Sequence, residues 1–191
     1  FNTFFKLCYD DNNLYIGFRV LDPDPSLIEK RGSRQDQEDG DWIKIGFDNY
    51  DDDRTAFVFT LTAAGVKGDY VISEDGAGED KTWDPVWYGK VAQNNEGWQA
   101  EMKIPMSQLR YSTNTGQSWG LQLERQIYRK GEISFWQFFT KDEPGVVSRF
   151  GNLSGLDNLA NTRRIELLPY IKSDYSTSQK IQNNPFADGT E

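Results

Sequence analysis

The chain has 191 residues, a length that suits a single domain with a substantial core. Its net charge of −9 at pH 7 disfavours nucleic acids and anionic membranes as partners, because both present phosphate groups that an acidic domain repels. The sequence contains no histidine, so any catalysis would depend on carboxylates, and no apolar run approaches the ~20 residues of a transmembrane helix. The one cysteine, Cys8, excludes an internal disulfide, and its apolar neighbours predict a buried thiol.

The first part of the chain predicts two strands followed by a loop. Residues 1–8 are rich in apolar side chains, and residues 14–20 place apolar side chains at every second position, which is typical of half-buried β-strands. The sequence Asp-Pro-Asp-Pro at residues 22–25 ends the second strand, because proline cannot donate a ladder hydrogen bond. Residues 26–40 are highly charged and predict a surface loop with at most one helical turn.

The next segment predicts a hairpin-like pair of strands. The first strand, residues 42–47, alternates in character, and Lys44 falls on the face opposite to the isoleucines. An acidic loop follows at residues 48–53. Residues 55–62 are rich in β-branched and aromatic side chains, which favour the second strand of the pair.

The second half of the chain adds further short strands. Trp98 alternates with apolar partners after a polar turn, and Trp119 begins a similar run, so both indoles are predicted to lie in the core. The remaining predicted strands cover residues 70–72, 82–91, 98–104, 119–127, 133–139, 150–156 and 163–171.

Roughly nine to eleven strands with little helix predict an all-β fold, an antiparallel, jelly-roll-like β-sandwich. We expect this sandwich to occupy residues 1–171. Residues 172–191 are polar with few apolar anchors, which indicates a linker or edge segment leading to a further C-terminal region.

Six short motifs rich in Trp, Gly, Asp and Pro follow one another along the chain. They are YDDNNLYIG at residues 9–17, DPDP at 22–25, DGDW at 39–42, WDPVW at 83–87, GW at 97–98 with IPMSQLR at 104–110, and WG at 119–120. Over residues 5–170, their order resembles family-nine carbohydrate-binding modules. More narrowly, it resembles the module at the N-terminus of Bacteroidota outer-membrane β-barrel proteins of unknown function, in which a segment like residues 163–170 leads to the barrel.

This resemblance implies a β-sandwich of sugar-binding ancestry in which calcium is frequently bound. It also implies a location in the cell envelope, associated with the outer membrane on either its periplasmic or its cell-surface side. A glycan or polysaccharide is the implied ligand, and other outer-membrane proteins are the implied protein partners.

Tryptophan side chains are the candidates for stacking on sugar rings, which need flat apolar faces and nearby polar groups for their hydroxyls. Trp83 and Trp87 flank a proline near a junction between loop and strand, where we expect exposed rings. Trp136 is out of phase with the apolar side chains of its run, so it is expected to point outward unless both faces of that strand are covered. The predicted hydrogen-bonding residues for the sugar are Arg54, Arg125 and Gln137.

The acidic loop is the candidate metal site. Calcium takes six to eight oxygen ligands, and this loop offers many within a short span, although it lacks EF-hand spacing. The predicted ligands are Asp48, Asn49, Asp51 and Asp53. A solvated acidic turn is the alternative interpretation.

Three functions remain open at this stage. The first is a non-catalytic carbohydrate-binding module of a larger envelope protein, which binds glycan by aromatic stacking. The second is a structural or docking domain of an outer-membrane assembly with no sugar ligand. The third is a glycoside hydrolase, which would need a pair of carboxylates that the sequence does not single out.

Overall fold

The computed structural model describes residues 1–111, 117–140, 142–156, 159, 171–173 and 182. The described residues form strands and short 3-10 turns, and the paired strands are antiparallel, which confirms the predicted all-β sandwich. The strands are β1 (Thr3–Tyr9), β2 (Asn13–Leu21), β3 (Trp42–Asp48), β4 (Ala56–Thr62), β5 (Lys67–Ser73), β6 (Gly78–Asp80), β7 (Tyr88–Asn94), β8 (Gly97–Pro105), β9 (Gln117–Ile127), β10 (Glu132–Phe135) and β11 (Gly151–Leu156).

Part of the sequence prediction lies outside this description. The predicted strand at residues 163–171 and the tail at residues 172–191 fall outside the described residues, apart from residues 171–173 and 182. The proposed boundary after residue 171 therefore stays a prediction.

The strands form two sheets. The small sheet has the order β1-β2-β8-β7, and the large sheet has the order β10-β9-β3-β4-β5-β6, with β11 also pairing with β9. The sheets stack so that β1 lies over β9 and β10, where Arg125 donates to Thr3 Oγ1 (3.2 Å), and β7 lies over β4, where a Cβ on Gly89 would lie 2.9 Å from Leu61. The sandwich thus has one open edge beside β1 and β10 and another beside β7.

The main core fills the space between the sheets. The apolar side chains of the predicted alternating runs point inward, and Trp98 and Trp119 are buried among them as predicted. Gly97, which precedes Trp98, has a φ of 145°, and a Cβ there would lie 2.1 Å from the carbonyl oxygen of Val20. Only glycine fits this approach, so the Gly-Trp motif serves the fold.

The large sheet is covered on its outer face as well. All seven residues of β4 are buried, because Ala56 and Val58 pack on the outer side against Val147 and Phe150. Farther along β4, the Thr60 hydroxyl donates to the Glu38 carboxylate (2.7 Å). Segments before β3 and before β11 therefore cover the middle of the sheet.

Three sequence expectations need correction. The predicted strand at residues 82–91 begins only at Tyr88, and the predicted strand at residues 133–139 ends at Phe135. The thiol of Cys8 is exposed, not buried. The outer face of the small sheet is uncovered, and Cys8 lies on that face, so its side chain meets solvent even though the run is apolar.

Trp87 and Asp69 form a buried polar contact between the sheets. The Trp87 indole N–H donates to Asp69 Oδ2 at 2.8 Å. Burial raises the pKa of Asp69 from 3.8 to about 6, and nearby carboxylates add to this rise. The hydrogen bond from Trp87 opposes it.

Replacing Asp69 by Asn should therefore change how stability depends on pH. Between pH 3.8 and about 6, the folded protein holds a proton on Asp69 that the unfolded chain has released. The free energy of unfolding of the wild type should thus fall, relative to that of Asp69→Asn, by up to about 3 kcal/mol as pH rises through this window. Asn keeps an acceptor for the indole N–H, so the variant should be the more stable protein at pH 7.

Urea unfolding at several pH values measures this difference. Asp11→Asn, which removes a carboxylate from an exposed turn, is the matched control for the loss of one charge. Parallel stability profiles of wild type and Asp69→Asn between pH 4 and 7 would contradict a raised pKa at Asp69.

Candidate functional site

A cleft of about 400 Å³ lies at the open edge where β1 faces β9 and β10, and we call it the edge cleft. Most of its wall is aromatic or aliphatic, and its polar groups come from β1, β9 and β10. The described lining residues are Phe1, Thr3, Phe4, Phe5, Phe18, Ile43, Leu123, Glu124, Arg125, Ser134, Phe135 and Trp136.

Trp136 supplies a fixed aromatic face in this cleft. Its backbone N–H donates to the Leu123 carbonyl (2.9 Å), which continues the pairing of β10 with β9 by one residue. The indole packs edge-on against Phe5, with ring centroids 6.1 Å apart, and keeps 45% of its surface exposed. A Cβ on Gly151 would lie 2.6 Å from this ring, so the glycine leaves room for it. Trp136 is thus held in place while one part of its ring stays open to a ligand.

Arg125 supplies the buried charge of the cleft. Its side chain points between the sheets, where Nη1 donates to Thr3 Oγ1 (3.2 Å) and Nη2 donates to the Leu21 carbonyl (2.9 Å). Among the described residues, Nε of Arg125 has no hydrogen-bond partner. Burial lowers the pKa of Arg125, against the effect of the nearby Asp22 and Asp41, but guanidinium stays protonated in proteins. A buried donor without a partner is costly, so this N–H favours a ligand acceptor.

Glu124 links the edge cleft to a charged group on the outer face of the large sheet. It borders the cleft between Leu123 and Arg125, whose side chains point inward, so its own side chain lies on the outer face, directly opposite Lys44 in the register of β9 and β3. Lys44 Nζ lies 3.4 Å from Glu38 and sits over the rings of Trp42 (4.6 Å) and Tyr70 (5.3 Å). We call Glu124, Lys44, Glu38, Trp42 and Tyr70 the Lys44 cluster.

Electrostatics keep Lys44 charged despite its burial. Burial opposes the ammonium, but the Tyr70 hydroxyl and the carboxylates of Glu124 and Glu38 outweigh this effect and raise the pKa of Lys44. Burial also raises the pKa of Glu124, although Lys44 opposes this shift. Lys44 therefore compensates the carboxylate of Glu124 on the outer face of the large sheet.

The structure brings together two of the predicted sugar-binding residues. Trp136 and Arg125 line the same cleft. Gln137 follows Trp136 but is held through its backbone, which exchanges two hydrogen bonds with the Gln122 side chain (2.9 and 2.8 Å). Of the predicted sugar-binding residues, only Trp136 and Arg125 therefore line the edge cleft.

The other predicted residues lie elsewhere. Trp87 is only 2% exposed, so the expectation of an exposed ring is wrong there, because its indole fills the core beside Asp69. Trp83 is half-buried against Phe57, with ring centroids 5.0 Å apart, at the edge of the sandwich beside β7. Arg54 is exposed after the acidic loop, and its carbonyl accepts a hydrogen bond from Asp75 N–H.

Sequence reasoning did not single out Phe5, Glu124 or Lys44 as site residues. The sequence does offer a reason to consider Lys44, because a lysine in an apolar strand must either point into solvent or have its charge balanced by acidic side chains when it is buried. It offers no such reason for Phe5 or Glu124, since their role depends on which strands of the two sheets face each other.

The acidic loop at residues 48–53 closes on one of its own carboxylates. Buried Asp48 accepts backbone N–H groups from Asp53 (2.9 Å), Tyr50 (3.2 Å) and Asp52 (3.3 Å). Asp51 and Asp53 are exposed and have positive φ angles, whereas Asn49 is buried.

These residues give mixed support for a metal. Among the described residues, no group of three or more His, Cys, Asp or Glu side chains is placed to hold a metal ion. The Asn49 amide, buried with no partner for its oxygen or nitrogen within the described part of the chain, is the feature that favours a ligand. Calcium at this loop stays a prediction.

No protein-family model matches the sequence, and no functionally curated protein matches it. Solved structures do share its fold. A family-nine carbohydrate-binding module from Caldicellulosiruptor kristjanssonii in complex with glucose is 20% identical and has a TM-score of 0.58, with 84% of this chain and 81% of that chain covered. In its complex with cellotriose, the identity and TM-score are again 20% and 0.58, and the coverage is 88% and 81%.

A third structure comes from Bacteroides uniformis ATCC 8492 and is described as a proposed carbohydrate-binding protein. It is 12% identical to this chain and has a TM-score of 0.64, with 80% of this chain and 77% of that chain covered. These likenesses establish that the chain has the fold of family-nine carbohydrate-binding modules, as the order of its motifs implied. In the part of the chain that the structure describes, no helix has the length and apolarity needed to cross a bilayer.

The calcium prediction can be tested by thermal unfolding. If the loop binds the ion, the free energy of unfolding should rise with the logarithm of calcium concentration once that concentration is well above Kd. Asp51→Asn should abolish this rise, and asparagine tolerates the φ of 54° at this position. Equal melting temperatures of the wild type in chelator and in millimolar calcium would contradict the prediction.

Proposed function

We propose that this domain is a non-catalytic module that binds glycan in the edge cleft. The observation that carries the proposal is the pairing, in one cleft, of the half-exposed Trp136 ring with the unpartnered N–H of Arg125. An aromatic face for the apolar side of a sugar and a fixed donor for a hydroxyl or ring oxygen are the two elements of sugar recognition.

The geometry of the cleft supports this role. Its volume of about 400 Å³ lies in the range of small-molecule sites, which are mostly apolar with few polar groups. Thr3 and Ser134 add hydroxyls that can donate to or accept from a sugar. Two structures with the same fold hold glucose and cellotriose, which supports a neutral sugar as the ligand.

The carboxylates favour binding over hydrolysis. Glycosidases need two carboxyl groups that flank the scissile bond, and among the described residues that line the cleft, Glu124 is the only carboxylate. Asp69 has the raised pKa that a catalytic acid needs, but it is buried on the inner face and bonded to Trp87. We therefore propose a binding module, and on the motif resemblance we place it in the cell envelope.

Trp136→Ala is the variant that tests this proposal. It should lower the affinity for cellotriose, or for a glycan found by array screening, by more than about tenfold, because a central aromatic side chain contributes about 2 kcal/mol or more to binding. Isothermal titration calorimetry measures the loss. Stacking should also persist at moderate salt, unlike binding driven by charge.

Phe138→Ala is the matched control, since this ring is 80% exposed and does not line the cleft. It should bind as the wild type does. Equal affinities of Trp136→Ala and wild type would overturn the assignment of the cleft. A folded domain that binds no glycan on a broad array would instead favour a docking domain of an outer-membrane assembly.

A further inference from the structure

The outer face of the small sheet forms a second surface with the features of a binding site. Two adjoining depressions, of about 600 and 480 Å³, share Lys6, Gly17 and Glu101 and so form one groove across the four strands. We call this surface the small-sheet groove. One of its ends lies at Tyr88 and the other at Phe4, which borders the edge cleft.

Gly17 opens the floor of this groove. It lies between Lys6 and Glu101 in the strand register, at the centre of the sheet. A Cβ built on Gly17 would meet no heavy atom within 4 Å, and its φ is not in the left-handed region. Neither packing nor backbone geometry therefore requires glycine here, although glycine weakens a strand. Because Gly17 has no side chain, it leaves open space above the strand at the middle of the groove.

Two tyrosine rings flank a lysine in the neighbouring row. Tyr15, Lys103 and Tyr88 are directly opposite one another on β2, β8 and β7. Lys103 Nζ lies 6.0 Å from the Tyr15 ring and 5.9 Å from the Tyr88 ring. Because the tyrosines are two strands apart, their Cα atoms are roughly 10 Å from each other.

These rings are partly pre-ordered for contact. The Tyr15 hydroxyl donates to Asp10 Oδ2 (2.9 Å), which fixes the orientation of that ring. Tyr88 is 59% exposed, and Phe4, at the far end of the groove, is 54% exposed. Three large aromatic side chains thus lie along one face of the small sheet, where a ligand can contact them.

The groove is basic in an otherwise acidic domain. Lys6, Lys90 and Lys103 are exposed around the single acid Glu101, whereas the whole chain has a charge of −9. Within the described residues, none of these three lysines forms an ion pair. Arg19, farther along, is paired with Glu96 at 2.6 Å. Three lysines against one glutamate therefore leave this part of the sheet with a net positive charge.

We propose that the small-sheet groove binds an acidic polysaccharide, such as a chain of uronic-acid residues. The chain would cross the strands, with sugar rings on Tyr15 and Tyr88 and carboxylates on Lys103, Lys90 and Lys6. This site is distinct from the edge cleft, so it adds a second glycan specificity to the proposed function and does not depend on it.

The chemistry favours this occupant over the other anionic polymers and surfaces. Nucleic acids and anionic membranes are attracted mainly by charge, and the negative charge of the rest of the domain opposes both. Aromatic rings alternating with lysines match a ligand whose repeating unit carries both an apolar ring face and one carboxylate.

Polygalacturonate and its methyl-esterified form test the proposal on the intact domain, because they share a backbone and differ in charge. Polygalacturonate should bind with an affinity that falls with rising salt, and the ester should bind more than about tenfold more weakly. Lys90→Gln should also weaken binding, whereas Lys81→Gln, which removes an exposed charge outside the groove, should not.

Gly17→Val is the decisive variant. Valine favours strands, and its Cβ would meet no heavy atom within 4 Å, so the domain should fold with at least wild-type thermal stability while the groove is filled. It should lose polygalacturonate binding and keep any cellotriose binding in the edge cleft, which separates failure of this proposal from failure of the first. Polygalacturonate should also slow alkylation of Cys8, the one thiol, which lines the groove beside Tyr15.

Three results would overturn the proposal. They are equal binding of the acidic and esterified polymers, unchanged polygalacturonate binding by a folded Gly17→Val, and tighter binding to vesicles of anionic phospholipid than to polygalacturonate. The last result would assign the groove to a membrane surface.

Discussion

The covering of the large sheet on both faces is the constraint on which the placement of both proposed glycan sites depends. Its inner face packs on the small sheet, and its outer face is covered around β4 by Val147, Phe150 and Glu38. The middle of the large sheet is therefore closed to a ligand, whereas the open edge beside β1 and the outer face of the small sheet stay accessible. The edge cleft and the small-sheet groove lie at these two places, and β1 is the strand that they share.

The edge cleft in turn depends on charges buried behind it. Arg129 donates to both oxygens of Asp22 (2.7 and 2.8 Å), and Arg125 lies close enough for Asp22 and Asp41 to oppose the lowering of its pKa. Burying such groups costs desolvation energy, which their mutual attraction only partly offsets. The role of these charges is to hold the structure in position. The pair of Arg129 and Asp22 joins the turn after β9 to the loop after β2, and the hydrogen bond from Arg125 to the Leu21 carbonyl fixes Arg125 between the sheets.

The sequence predicts the fold far better than it predicts the site. Alternation of apolar and polar residues is set by the strand itself, so β2, β3 and β8, and the burial of Trp98, follow from a period of two. Whether an indole in a loop is buried depends on tertiary neighbours. Trp87 finds a polar partner in Asp69 and is buried, whereas Trp136 follows the edge strand β10 and stays half-exposed. Local sequence does not distinguish these two cases.

The net charge of the chain likewise does not predict the local charge of a particular surface. A charge of −9 predicts that the domain repels polyanions at long range, but at the surface salt screens each charge beyond about 8 to 10 Å. Within that distance, a ligand on the small sheet meets Lys6, Lys90 and Lys103. The lysines lie on alternate positions of three strands that are far apart in sequence, and only the register of the sheet brings them together. Long-range repulsion with short-range attraction then selects for ligands that also stack, because charge alone does not overcome the field of the whole domain.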